Sequence, residues 1–203
     1  DAFILAFTLP NLFRRLLGEG ALTSAMVPVL SDVLQRAGRS KAFVFLNQVL
    51  GRLLVILLVL VVSGMVLLGS LAGSGMLSDR WTVGAELAVV LLPYMIFICL
   101  AAIVSAGLNL LGRFAVAAIT PMLLNLAMIG ALCAGMWLSD GPARVVHWLC
   151  GGVLLGGVMQ LLLPAWDLAR QGWRPRLQQG ASKELSELWR LFLPGLMGAA
   201  ILQ

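Results

Sequence analysis

The sequence predicts an all-α polytopic membrane protein, and three observations support this class: the composition, the distribution of charge and the length of the apolar runs. Hydrophobic residues make up 61% of the chain and charged residues only 11%, whereas an ordinary soluble domain has about 25% charged residues. Four stretches carry no charged side chain, namely 53–78, 87–112, 114–139 and 145–166. Each can cross the hydrocarbon core as a helix, which takes about 20 residues. Because lipid tolerates only helices or closed barrels and these runs lack period-2 alternation, we expect helices.

The apolar runs divide the chain into about five full transmembrane helices and the start of a sixth, within a single partial transmembrane domain over 1–203. The predicted spans are 2–30, 43–71, 87–111, 115–138, 145–168 and a truncated 189–203. Both ends of the chain look cut, so we expect a fragment of a longer protein. Ser182 precedes Glu184 and Glu187 and is expected to cap a short helix that leads into the last span.

The links between the predicted spans alternate in charge, which predicts their orientation. Links 31–41 and 169–190 carry net charges of +2 and +3 and Arg113 adds +1, whereas links 73–86 and 139–144 carry −1 and 0. Because positively charged loops stay in the cytoplasm, we expect the three positive links to face it. Arg52, near the cytoplasmic end of its span, is expected to reach the interface by snorkelling.

One predicted span breaks the apolar pattern. Two apolar runs, 2–13 and 20–31, flank the charged residues Arg14, Arg15 and Glu19, and neither run is long enough to span a membrane alone. Joined, they place the three charges at membrane depth, where an isolated arginine costs at least about 2.5–3.5 kcal/mol. Such a cost persists only where the charged groups pair or face a wet cavity.

The polar side chains share one face of this predicted helix. At about 100° per residue, and with the helix continuing through Pro10, that face holds Asp1, Asn11, Arg14, Arg15 and Glu19. Arg15 and Glu19 are four residues apart and can pair, which leaves Arg14 for a phosphate or pyrophosphate gripped bidentately. The alternatives are a structural salt bridge and a re-entrant hairpin whose charges simply reach the interface.

The sequence gives no motif that demands a cofactor or a catalytic role. His147 is the only histidine, and a single histidine makes a poor metal site, so neither a metal nor a cofactor is expected. A membrane glycosyltransferase needs a metal-binding acidic motif or a catalytic loop, and the links contain no DxD motif or histidine cluster. We therefore expect a protein that is not an enzyme. The net charge of +5 reflects loop charge and does not predict a nucleic-acid partner.

The chain resembles the MurJ (MviN) family of lipid II flippases. The most specific block is Asp1–Ala2–Phe3, Leu9–Pro10–Asn11–Leu12–Phe13–Arg14–Arg15–Leu16, Glu19–Gly20–Ala21 and Val27–Pro28–Val29–Leu30. The resemblance continues at Leu108–Asn109, Arg113–Phe114, Pro121, Leu123–Leu124–Asn125, Gly151–Gly152–Val153, Gln160–Leu161 and Pro194–Gly195. It implies a two-lobed transporter helix bundle around a cationic cavity, in which this chain forms part of the N-terminal lobe. Asn47, Gln48 and Arg52 depart from the family pattern, because they are more polar than expected at a helix start.

The resemblance also implies a function and a set of partners. Lipid II, the lipid-linked peptidoglycan precursor, would cross the bacterial cytoplasmic (inner) membrane by alternating access. Arg14 and Arg15 would bind its pyrophosphate in a substrate-binding cavity that also includes Asn11, Glu19 and Asp1. The implied partners are this precursor, membrane lipids and the rest of the chain. The alternatives are a related exporter of another lipid-linked oligosaccharide or of a drug, and a non-catalytic structural membrane subunit.

Overall fold

The computed structural model describes residues 3, 6–8, 12, 20–75, 78–138, 141–178, 180 and 182–201. Within these residues every regular element is a helix, which confirms the all-α class. The elements are α1 (Ala21–Gly73), α2 (Asp79–Leu91), α3 (Tyr94–Leu110), α4 (Phe114–Leu138), α5 (Pro142–Arg170) and α6 (Lys183–Ile201). The apolar helix α3 lies at the centre and packs against both α1 and α5, so its Cys99, Ile103 and Leu108 are fully buried.

Helix α1 continues through a stretch that the sequence analysis assigned to a loop. The polar link predicted at 31–41 is helical except at Gly38, whose φ of 79° and ψ of 176° break the helix. A positive φ is available to glycine at little cost, because it has no Cβ. Before the break, Asp32 and Arg36 form an exposed salt bridge of 2.7 Å, one helical turn apart. The prediction of a loop over 31–41 is therefore wrong, and the chain turns at one residue.

The part of α1 that follows Gly38 is longer than a membrane is thick. Residues 39–73 are helical, and at 1.5 Å per residue they extend about 50 Å, whereas the hydrocarbon core measures about 30 Å. The uncharged part of this helix begins at Leu53, directly after Arg52. The first turns after Gly38, which include Asn47 and Gln48, therefore precede the uncharged run that is long enough to cross the hydrocarbon.

The single helix predicted at 87–111 consists of two helices in the structure. Helices α2 and α3 meet at Leu92–Pro93 with a bend of 43°. Pro93 has no N–H to continue the helical ladder, and its ring clashes with the carbonyl one turn earlier. The chain recovers at once, because the N–H groups of Met95 and Ile96 donate to the carbonyls of Leu92 and Pro93. Helix α2 also begins at Asp79, inside the predicted link 73–86.

Helices α4 and α5 approach each other closely through small residues. A Cβ added to Gly152 would lie 2.5 Å from the Cβ of Ala131, and one added to Gly156 would lie 3.0 Å from the Cα of Leu124. These distances are too short for any side chain, so the two glycines allow the backbones to meet. The opposite face of α4 is a stripe of exposed apolar side chains that includes Met122, Leu126 and Ile129.

Three helical stretches are long and apolar enough to cross a membrane among the residues that the structure describes. They are Leu22–Gly73, Phe114–Leu138 and Arg144–Arg170, and the bent pair α2–α3 makes a fourth if it counts as one span. The predicted span 2–30 includes 9–11 and 13–19, which lie outside the described set, so the total of five full spans stays a prediction. The start of α6 agrees with the sequence, because the hydroxyl of Ser182 accepts a hydrogen bond of 3.2 Å from the N–H of Leu185.

Candidate functional site

The five predicted cavity residues lie outside the described part of the chain. They are Asp1, Asn11, Arg14, Arg15 and Glu19, and their arrangement stays a prediction. Described residues near them contact the start of α3. The rings of Phe3 and Phe7 stack with centroids 5.8 Å apart, and Phe7 lies 5.8 Å from Tyr94. Phe7 therefore packs beside the bend between α2 and α3.

A cavity of about 360 Å³ lies among α1, α3, α4 and α5. Its polar lining comes from Thr23, Ser105, Asn109, Thr120 and Gln160, and the remaining lining residues are apolar. This volume falls within the range of ligand-binding cavities, about 300–1,000 Å³. Thr23 lies just beyond the charged stretch, on the same predicted span. The cavity is uncharged and offers hydrogen-bonding groups, whereas the cationic cavity that the sequence predicts concerns residues outside the described set.

Gln160 is the buried polar centre of this cavity, with only 2% of its surface exposed. Its amide nitrogen donates to the carbonyl of Thr120 at 3.0 Å, and its amide oxygen accepts a hydrogen bond of 3.4 Å from the hydroxyl of Tyr94. Tyr94 fits against α5 because residue 157 is glycine, where an added Cβ would lie 2.6 Å from the ring. A buried polar side chain needs such partners, since leaving it unsatisfied costs about 1–3 kcal/mol.

Pro121 explains the position of Thr120 in the cavity wall. Proline cannot donate the backbone hydrogen bond that would normally reach the carbonyl of Ala117, four residues earlier. The hydroxyl of Thr120 donates to that carbonyl instead, at 2.7 Å. In the sequence, Pro121 contributed only to the family resemblance. The Thr120–Pro121 pair was nevertheless a sign of a modified helical turn at this position.

A strap follows α5 and lies across α1; it comprises residues 171–178, 180 and 182. The ring N–H of Trp173 donates to Asn47 Oδ1 at 2.9 Å, and Asn47 Nδ2 donates to the carbonyl of Arg174 at 2.9 Å. The hydroxyl of Ser182 donates to Gln48 Oε1, also at 2.9 Å. The polar residues that depart from the family pattern therefore fasten the strap to α1.

Arg52 completes this attachment. The sequence predicted that its side chain reaches the interface, and in the structure its Nη1 donates to the carbonyl of Gly180 at 3.2 Å. The strap also packs close to the preceding residue, Gly51, where an added Cβ would lie in ordinary van der Waals contact with Gln178, at 3.6 Å. Four hydrogen bonds thus connect one short stretch of α1 to residues more than 120 positions later in the chain.

Arg113 is a structural cation, whereas the sequence predicted only that it adds positive charge to a link between two spans. Its Nε and Nη2 donate to the two carboxylate oxygens of Asp167, both at 2.7 Å. The Asp167 side chain is only 4% exposed. The hydrogen bond and the charge of Asp167 raise the pKa of Arg113, so the guanidinium stays charged. The sequence contained a sign of this pair, because an acidic residue such as Asp167 within the predicted span 145–168 requires a partner.

The described cavity contains hydrogen-bonding groups and no charged side chain. Among them there is no group of three or more histidine, cysteine, aspartate or glutamate side chains that could hold a metal ion. The cavity offers hydroxyl and amide groups that bind neutral polar ligands, and the predicted charged stretch beside it would add cationic groups. The fold and this cavity define a multi-spanning α-helical membrane protein with a polar cavity between its helices.

Comparison with known proteins identifies the family. Residues 1–203 match the family described as "Lipid II flippase MurJ", so the chain belongs to the MurJ family. It is 34% identical, over its whole length, to the "Probable lipid II flippase MurJ" of Rhizobium meliloti, of which it covers 39%. It is also 34% identical, over 80% of its length, to the "Lipid II flippase MurJ" of Burkholderia cenocepacia, of which it covers 32%. The chain thus spans about 40% or less of the length of these relatives.

A solved structure shows the same fold. The chain superposes with a TM-score of 0.75 on "Lipid II flippase MurJ, inward closed conformation", at 24% sequence identity. The match covers 97% of this chain and 40% of that one. The helix arrangement described above therefore corresponds to part of a larger bundle, and the resemblance inferred from the residues alone is confirmed.

Proposed function

We propose that the protein containing this chain moves lipid II, the lipid-linked peptidoglycan precursor, across the bacterial cytoplasmic membrane by alternating access. The match of residues 1–203 to the lipid II flippase family carries this proposal. The relatives from Rhizobium meliloti and Burkholderia cenocepacia are named for this activity. The polar cavity among α1, α3, α4 and α5 supports it, because a polar headgroup needs hydrogen-bonding partners inside the bilayer.

The predicted charged face supplies the binding chemistry. Arg14 and Arg15 bind the pyrophosphate of the precursor, since a guanidinium grips phosphate oxygens with two parallel hydrogen bonds. Asn11, Glu19 and Asp1 line the same cavity, and Glu19 holds Arg15 in place from one turn away. Thr23, Ser105 and Gln160 extend this lining with neutral groups suited to hydroxyl and amide groups of the headgroup.

The activity is transport and not enzymatic catalysis. Rocking of this lobe against a second lobe exposes the cavity alternately to the two sides of the membrane. The positive links, including the strap with Arg174 and Arg176, face the cytoplasm. The partners are the lipid-linked precursor, membrane lipids and the remaining part of the chain. The Tyr94–Gln160–Thr120 contacts keep one cavity wall fixed while the lobes move.

The test is complementation of a bacterial strain depleted of its lipid II flippase. Arg14→Ala in the full-length protein should abolish growth, because it removes the cation that binds the pyrophosphate. The matched control is Arg39→Ala, which removes an exposed arginine of the predicted cytoplasmic surface and should leave growth unchanged. Normal growth of the Arg14→Ala strain with normal protein levels would overturn the proposal. Accumulation of a different lipid-linked sugar would point to a related exporter, and loss of growth with normal lipid II transport would point to a structural subunit.

A further inference from the structure

A second cavity lies directly beneath the strap. This groove of about 330 Å³ runs between α1, α3 and α5 and is almost entirely apolar. Its walls include Leu54 from α1, Val104 from α3, and Leu161, Leu162 and Ala165 from α5. The strap forms its roof through Pro175, Arg176 and Leu177. We call this cavity the strap groove.

The strap groove lies just below one membrane surface. Arg52 marks this level on α1, because the uncharged run begins with the next residue, and its side chain donates to the strap at Gly180. Leu54 is two residues further into that run. On α5, Leu162 in the groove wall and the nearby Trp166 are 60% and 58% exposed, so the groove opens sideways on an exposed apolar face. Its occupant therefore enters from the bilayer.

The rim of the strap groove is cationic. Arg176 lines it directly, and Arg170, whose guanidinium lies 4.6 Å from the centre of the Trp166 ring, is the last residue of α5 before the strap. Arg174 is exposed on the same strap, and no acidic residue occurs between Asp167 and Lys183. Within the described ranges none of these three arginines forms a salt bridge. An apolar groove below and a cluster of arginines above match the two ends of one molecule.

We propose that the strap groove binds an anionic phospholipid of the leaflet next to the strap. One acyl chain lies between Leu54, Val104 and Leu161, and the phosphate lies on Arg176. Arginine suits this role because its planar fork pairs with two phosphate oxygens, and basic sites between transmembrane helices attract anionic headgroups. A segment of the same chain that filled the groove would not need arginines at the rim. These positive charges therefore favour an anionic lipid as the occupant. This site is separate from the cavity proposed for the transported substrate.

Bound lipid holds the strap against the helices that it crosses. Leu177 is 75% exposed and lies beside Arg176, so an acyl chain entering the groove covers it. The strap is fastened to α1 on one side through Asn47 and Gln48, and the lipid joins its other side to α5. A phospholipid in the strap groove is thus a structural ligand.

The test is native mass spectrometry of the full-length protein, purified in detergent and supplied with defined lipids. With an equal mixture of phosphatidylglycerol and phosphatidylcholine, we expect the protein to retain one phosphatidylglycerol in preference. Arg176→Gln should weaken this retention about tenfold, because it removes a charge-assisted pair of hydrogen bonds. Arg39→Gln is the matched control, since it removes the same charge from an exposed site before the strap and should change nothing.

A second variant tests the groove without changing charge. Ala165→Phe places a ring between α1 and α5 and should abolish phosphatidylglycerol retention, while a melting curve shows whether the variant folds. If Ala165→Phe fails to fold, Leu162→Trp at the exposed mouth replaces it and should give the same loss.

Equal retention of the two lipids by the unaltered protein would overturn the proposal. Retention that is unchanged both in Arg176→Gln and in a folded groove variant would also overturn it. The measurement does not depend on transport, so the lipid-binding proposal holds or fails separately from the proposed flippase activity.

Discussion

Arg113 and Asp167 form a bidentate salt bridge that fastens the loop between α3 and α4 to the end of α5. Both hydrogen bonds measure 2.7 Å, and the carboxylate is buried while the guanidinium is half-exposed. The planar guanidinium matches the carboxylate in only one orientation, so the pair defines both the distance and the angle between these elements. Because Arg113 lies between α3 and α4 and Asp167 lies on α5, the clamp keeps these three helices together.

Removing this clamp should destabilise the protein. We expect Asp167→Asn to lower the melting temperature of the full-length protein clearly, because it leaves the guanidinium of Arg113 without its charged partner. Asp32→Asn is the matched control, since Asp32 also pairs with an arginine at 2.7 Å but in an exposed position, where ion pairs contribute little. Equal shifts of the melting temperature in the two variants would contradict the assignment of Asp167 as a clamp.

The buried amide of Gln160 should be more important than the hydroxyl that it contacts. Gln160→Leu removes the hydrogen bonds to the Thr120 carbonyl and from the Tyr94 hydroxyl, so we expect a loss of about 0.5–2 kcal/mol in unfolding free energy. Tyr94→Phe keeps the 3.0 Å bond between Gln160 and Thr120 and should cost less. Chemical denaturation in detergent measures both variants. A larger loss of unfolding free energy for Tyr94→Phe than for Gln160→Leu would show that Gln160 is not the main stabilising residue of this hydrogen-bond network.

Two adjacent glycines should differ in their tolerance of a methyl group. Gly152→Ala forces a Cβ to within 2.5 Å of Ala131, so we expect α4 and α5 to separate at a cost of about 1–3 kcal/mol. Gly151→Ala is the control, because nothing lies within 4 Å of its added Cβ and alanine favours a helix. Thermal unfolding of the two variants measures the difference. Similar stability would mean that the helices do not meet through Gly152.

Loosening the strap should expose it to protease. Asn47→Leu removes the acceptor for Trp173 and the donor to the Arg174 carbonyl, so we expect the strap to leave α1 more often. Trypsin should then cut after Arg176 several times faster, whereas the bond after Arg174 precedes proline and resists cleavage. Gln35→Leu, at an exposed site on α1, is the control for added hydrophobicity. An unchanged cleavage rate at Arg176 would show that Asn47 does not hold the strap.

The helical membrane class could be predicted from the chain because it depends on local composition. Uncharged runs of more than 20 residues leave little choice of secondary structure. The break at Gly38 and the bend at Pro93 depend on single residues within otherwise uniform runs, and both residue types are also common in loops. The polar link around Gly38 therefore suggested a loop where the structure has a helix.

The pairings that form the sites could not be predicted in the same way. Asn47 and Trp173 are 126 positions apart and Arg113 and Asp167 are 54 apart, and no local pattern connects such partners. Gln48 and Ser182 are likewise separated by 134 positions. The sequence predicts that charges at membrane depth mark a cavity, because burying an unpaired charge is costly, and this stays a prediction. The neutral residues that line the cavity among α1, α3, α4 and α5 became visible only when the helices were placed together.

The break at Gly38 has a consequence for the handedness of the residue at that position. A Cβ there would contact nothing within 4 Å, so the preference for glycine comes from the backbone angle of 79° alone. An l-amino acid disfavours this angle, whereas a d-amino acid prefers it, because its allowed backbone angles are the mirror image. A protein assembled by chemical ligation with d-alanine at position 38 should therefore keep the turn, and its l-alanine counterpart should straighten or strain it. Chirality, and not size, is what position 38 selects.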